Sequence, residues 1–187
     1  MTAAAGRGMG LFGKLPCHGD FVRRGLPVTF CDPWDGWVQR CLATAQARLA
    51  ARWDMAWRRA PALRFALDPG ACGPAAAAGA MVASWDSVGR SFPLTVAALR
   101  PAAARPSWPR AWLADAERLA LSARDGGLDA DGLFAAIADG PDRSAADPSV
   151  GAGWWISAEG EASARPWDVA SSMPSPADFA ALLEDPA

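Results

Sequence analysis

The chain has 187 residues, 51% of them hydrophobic, with 18 basic against 20 acidic side chains and a net charge of −2. That length suits one domain with a core of its own, and a near-neutral charge with both signs spread along the chain excludes the basic face of a general nucleic-acid binder. No apolar run approaches the ~20 residues of a membrane span, and the opening MTAAAGRGMGLFG lacks the apolar core of a secretory signal, so the expected compartment is the cytoplasm.

Residues 1–9 read as a frayed end. A short strand follows, Leu11-Phe12-Gly13-Lys14-Leu15, stopped by Pro16, with Gly13 marking a bulge or a close backbone approach. Residues 17–30 read mostly as loop, with Gly19, Gly25 and Pro27 supplying the turns. Asp32-Pro33-Trp34-Asp35 carries a helix-start signature: Asp32 to cap, Pro33 at the first helical position, Asp35 toward the positive end of the dipole. The apolar face then runs through Trp34, Trp37, Val38, Cys41, Leu42, Ala45, Leu49, Trp53 and Trp57 as far as Pro61. A tryptophan stripe at this spacing is core, and each buried ring removes roughly 150–250 Å² from water.

Residues 63–67, 80–85 and 92–99 read as strands, the last two joined as an antiparallel hairpin with a longer loop. Pro93 belongs at a strand start, an edge or a bulge. Residues 71–78 are an alanine and glycine connection and residues 101–109 a linker. Ser107 caps a helix to about residue 125, and a shorter helix covers residues 129–138. Trp154-Trp155-Ile156-Ser157 is a late strand, residues 159–174 are irregular, and Ser175-Pro176 opens a last helix. Grouped strands with long helices before and after them predict an α+β fold: α-β-α layers around a mainly antiparallel sheet, in a single domain over residues 1–187.

The chemistry-bearing residues are sparse. The lone lysine (Lys14) and lone histidine (His18) fall in GKLPCHGDFVRR; Cys17, Cys31, Cys41 and Cys72 have no metal-ligand spacing and read as free thiols, so no metal and no cofactor is expected. Cys17, five residues and Arg23 match the spacing of a cysteine-phosphatase phosphate loop. Pro16 ahead of it and Asp20 inside it both oppose a bound dianion. No Gly-x-Ser-x-Gly elbow is present, and Asp129 with Asp131 reads as a helix N-terminus rather than a catalytic pair. Asp20 with Arg23 or Arg24, and Asp86 with Arg90, are expected as loop-locking ion pairs. Their functional alternative is a surface for a protein partner, formed by Lys14, Asp20, Arg23, Arg24, Asp86 and Arg90.

Four separated motifs occur in order: Phe12-Gly13-Lys14-Leu15-Pro16, Gly19-Asp20-Phe21-Val22, Trp34-Asp35-Gly36-Trp37, and Asp86-Ser87-Val88-Gly89-Arg90-Ser91-Phe92-Pro93-Leu94. Together they resemble TagF, the accessory protein family of bacterial type VI secretion systems. The resemblance implies a longin- or profilin-like α-β-α fold. It implies a non-enzymatic, post-translational repressor of secretion whose partner is the forkhead-associated scaffold protein of the apparatus. The rival readings are a cysteine-dependent phosphatase working through Cys17 and Arg23, and a structural subunit of the apparatus.

Overall fold

The computed structural model describes residues 8–102, 107–139, 148–157 and 164–185. In chain order the elements are β1 (Met9–Gly13), β2 (Val22–Arg24), α1 (Val28–Leu49), α2 (Trp53–Arg58), β3 (Ala62–Leu67), β4 (Ala76–Val82), β5 (Leu94–Arg100), β6 (Trp108–Pro109), α3 (Arg110–Arg124), α4 (Ala130–Ala138), β7 (Ser149–Val150), β8 (Gly153–Ser157), β9 (Arg165–Pro166) and α5 (Pro176–Glu184). Seven strands form one sheet in the order β2-β1-β5-β4-β3-β8-β9, with every pairing antiparallel. β6 and β7 pair separately. The fold is α+β, as the element order predicts.

Strand alternation divides the side chains between two cores. Leu63, Phe65 and Leu67 of β3, with Ala77 and Met81 of β4, face α1, α2 and α5. Ala76, Ala78, Ala80 and Val82 of β4, with Leu94, Val96 and Ala98 of β5, face α3 and α4. The alanines on that second face let α3 lie close enough for Trp112 Nε1 to donate to the Ala78 carbonyl at 3.0 Å. Gly13 has φ +140, and a Cβ there would sit 2.0 Å from the Pro93 carbonyl, so the close approach expected of it is real.

The first helix departs from its expected limits at both ends. It begins at Val28 behind Pro27, leaving Asp32 and Pro33 inside it. Phe30 and Cys31 are buried, and Phe30 stacks on Trp34 one turn later at 5.3 Å, so the apolar stripe starts before the Asp-Pro pair. Tertiary burial overrides the local start signal. At the other end α1 stops at Leu49, and a 3₁₀ turn over Ala50–Arg52 leads into α2. The break turns Trp57 so that its Nε1 donates to the Ser84 carbonyl at 2.9 Å, while Trp53 stacks on Trp57 half-buried.

Other expectations shift for related reasons. Met9 belongs to β1 rather than to a frayed end; residues 1–7 lie outside the described residues. The loop expected over 17–30 contains β2, and the end of the connection expected over 71–78 already belongs to β4 from Ala76 on. Ser107 does not cap α3, whose N-cap is Pro109 with no side-chain bond. Asp129 caps α4 by accepting from Gly132 N at 2.8 Å, and Ser175 with Asp178 makes a capping box on α5. β9 interrupts the stretch expected to be irregular; residues 103–106 of the linker and 159–163 of that stretch lie outside the described residues.

Trp34 is wholly buried and contacts Trp37, Phe65 and Trp154, so Trp34→Ala is expected to cost about 3–5 kcal/mol in urea denaturation, and Trp53→Ala less than about half of that. Equal losses would place the core's centre nearer α2. Ala50 holds φ 48 and ψ −118, a conformation suited to glycine. Ala50→Gly is expected to raise the urea-derived stability by about 1 kcal/mol, relieved strain outweighing the added chain entropy. A lowered midpoint would show that the turn stores no strain.

Candidate protein-interaction site

The site begins at the end of β1. Lys14 follows Gly13 and points into the protein, where its Nζ meets Asp86 Oδ2 at 3.0 Å, with only 8% of the lysine side chain and none of the aspartate side chain exposed. Asp86 opens the turn that the Trp85–Ser91 bridge closes off, within the connection between β4 and β5. Its Oδ1 accepts from the backbone N–H of Val88 at 3.1 Å and of Arg90 at 2.9 Å, and its Oδ2 also accepts from Arg90 Nε at 2.6 Å. Burial alone would raise the Asp86 pKa. The Arg90 amide and the Lys14 and Arg90 side chains outweigh it and hold the carboxyl well below the usual carboxylate range.

From this carboxylate the two motifs are joined. Arg90 Nη2 donates to the Gly19 carbonyl at 2.8 Å, and Ser87 N donates to the His18 carbonyl at 2.8 Å. Ser84 Oγ donates to the Lys14 carbonyl at 2.8 Å. Phe21 lies over the same cluster. Its ring stacks on Phe12, meets Phe92 edge-on at 4.7 Å, and has Lys14 Nζ 5.0 Å from its centroid. Phe21 is nonetheless 45% exposed, and Val88, at the tip of the second turn, is 72% exposed.

The expected site residues therefore divide. Lys14, Asp86 and Arg90 converge, with Lys14 and Asp86 buried beneath the surface rather than on it. The expected ion pair of Asp20 with Arg23 or Arg24 does not form. Asp20 Oδ1 turns back to accept from Phe21 N at 2.8 Å, and Arg24 Nε instead reaches Asp131 Oδ1 on α4 at 2.8 Å. Arg23 stands opposite Phe12 in the β1–β2 register, exposed. Its guanidinium lies against Cys31, where it partly offsets the burial that pushes that thiol up to about 11. Burial pushes Cys41 and Cys72 up to about 12, and Cys17 is exposed. Two amides that a phosphate cradle would use, His18 N and Phe21 N, are bonded to Leu15 O and Asp20 Oδ1. Sequence reasoning missed Phe21 and Val88 as surface residues. The available signal was an apolar residue set between Ser87 and Gly89 at a turn.

Among the described residues, no three or more His, Cys, Asp or Glu side chains gather as a metal site, and no helix is long and apolar enough to cross a membrane. The family model for the TagF N-terminal domain, type VI secretion system-associated, matches residues 10–139. The chain belongs to the TagF family. The crystal structure of PA0076 from Pseudomonas aeruginosa PAO1 is similar over 94% of this chain and 93% of that one, at 30% identity and a TM-score of 0.76. No curated protein matches. The TagF match spans β1 to α4 and so contains the whole Lys14–Asp86–Arg90 cluster. Membership gives the chain an accessory role associated with type VI secretion.

The depressed Asp86 pKa has a definite sign. Its stabilising contribution is fully present above about pH 5, beyond the ordinary aspartate range, and is lost as pH falls through about 4 toward the lower folded-state value. Asp86→Asn, which also leaves Lys14 buried without its counter-charge, is expected to lower stability at neutral pH and to flatten the acid limb of a stability-against-pH curve. Parallel acid limbs for wild type and variant would remove Asp86 from the linkage.

Proposed function

We infer that this TagF-family chain is a non-enzymatic cytoplasmic repressor that restrains type VI secretion post-translationally by binding the forkhead-associated scaffold protein. The observation that carries the reading is the junction of the two motif loops. One buried carboxylate fixes the 87–90 turn against the 18–20 loop, and the exposed side chains beside that junction include Phe21, Val88, Arg23 and Arg90, along with Asp20 and Ser87. An aromatic, an aliphatic and two guanidinium groups on a pre-ordered mount suit protein recognition, because little side-chain or loop entropy remains to be lost on binding. The non-enzymatic part is supported by the spent amides of the 17–23 loop and by the seating of Arg23 beside Cys31.

The test is a titration of the scaffold protein against wild type, Val88→Asp, Arg23→Glu and Cys17→Ser, with thermal melts alongside. The first two variants are expected to weaken binding at least about tenfold with melting temperatures nearly unchanged, since neither side chain supports the sheet. Cys17→Ser is expected to bind as wild type does. Unchanged affinity for both Val88→Asp and Arg23→Glu would remove the two-loop surface from the interface.

A further inference from the structure

The break at Ala50 creates a second surface. Leu49 at the end of α1, Arg52 in the 3₁₀ turn, Met55 and Ala56 of α2 and Arg59 just past it line a shallow groove of about 130 Å³ with Leu183 and Glu184 of α5. Leu49 and Leu183 are buried at its floor, while Met55 is 54% exposed at its lip. The carboxylate in the groove is already engaged, since Glu184 Oε2 accepts from Arg48 Nη2 at 2.5 Å. Arg58 lies over the Trp85 ring, 4.7 Å from its centroid. Among the described residues the Arg52 and Arg59 side chains have no hydrogen bond or ion pair.

We propose that this groove docks an acidic amphipathic helix of a protein partner. Its apolar residue seats on Leu49 and Met55, and two carboxylates meet Arg52 and Arg59. The two arginines bracket α2, Arg52 ending the 3₁₀ turn before it and Arg59 being its C-cap, roughly two helical turns apart, which matches carboxylates two turns apart on a second helix laid alongside. Guanidinium is the side-chain cation that grips a carboxylate with two parallel bonds, and an unspent pair bracketing an apolar floor leaves two positive charges for a partner to complement. The apolar floor is recessed, Leu49 and Leu183 both being buried, and this favours a peptide over a lipid surface, which would need a projecting apolar face. This inference uses α2 and α5 and is independent of the two-loop surface.

The experiment is calorimetric titration of the full chain at low salt with a synthetic alanine-based helical peptide carrying Glu-x-x-Leu-x-x-x-Glu. Controls are the same peptide with lysine for glutamate, and phosphatidylserine vesicles. The glutamate peptide is expected to bind with a Kd near about 50 μM. Binding is expected to weaken at least about tenfold in Arg52→Glu, Arg59→Glu and Met55→Asp, and to remain unchanged in Val88→Asp. Raising the salt from about 50 to 300 mM is expected to weaken it too. Arg52→Ala and Arg59→Ala, with melts to confirm folding, replace the reversals should those lower stability. Absence of binding at about 1 mM peptide, equal binding of the lysine peptide, indifference to both arginine variants, or binding of vesicles alone would each overturn the proposal.

Discussion

The buried Asp86 carboxylate is the constraint on which the two-loop architecture depends. An ionised group removed from water must recover its hydration from the protein, and Asp86 does so with two backbone amides, a guanidinium and an ammonium. Each donor comes from a piece of chain that would otherwise be free to move. The amides fix the turn at Val88 and Arg90, the ammonium fixes the end of β1, and a second Arg90 nitrogen, Nη2, fixes the Gly19 loop. A neutral side chain at position 86 would leave Lys14 with a charge and no partner. The lone lysine of the chain thus has a structural reason to be a lysine and to stand where β1 ends.

A second ordering principle is the indole N–H. A buried tryptophan contributes a large apolar ring, but leaving its single donor unmet costs free energy; among the described residues Trp108 Nε1 is such an unmet donor, while other indoles find acceptors spread across the chain. Trp34 donates to Thr95 Oγ1, Trp57 to the Ser84 carbonyl, Trp37 to the Pro174 carbonyl and Trp154 to the Ser172 carbonyl. The last two reach segments beyond the family-matched residues. α5 also packs along α1 through Phe179 and is tied to it by Arg48 with Glu184. The C-terminal segment is therefore part of the same core, and the sheet-facing helix layer is incomplete without it.

Much of this was legible in the residues. Period-two alternation marked β3, apolar stretches marked β5 and β8, Asp129 and Ser175-Pro176 marked two helix starts, and Gly13 marked a close approach. What sequence patterns misplace are features that local chemistry and tertiary contact contest. Asp32-Pro33 is a strong local start signal, yet Phe30 stacking on Trp34 carries the helix back past it. Between Leu49 and Trp53 there is no proline or glycine to announce a break, because the bend is imposed by where Trp57 must reach. At the site, Asp86 with Arg90 lies four residues apart and was readable as a pair. The partner of Arg24 lies on α4, over a hundred residues away, and no spacing could reveal it. Asp20 has an acceptor role in its own loop that satisfies it without an arginine.

Ser84 is where these threads meet. Its carbonyl accepts from Trp57 Nε1 and from Phe92 N, and its hydroxyl donates to the Lys14 carbonyl. One residue thereby links α2, the start of the Asp86 turn and the end of β1. The inner side of α2 is committed to this junction through Trp57, and Arg58 closes over Trp85 next to it. At the two ends of α2 stand Arg52 and Arg59, whose side chains have no hydrogen bond or ion pair among the described residues. The bonds through Ser84, Asp86 and Arg90 describe a fixed mount for both surfaces. Occupying one surface requires no reordering of the other, and contributions from the two should add rather than cooperate.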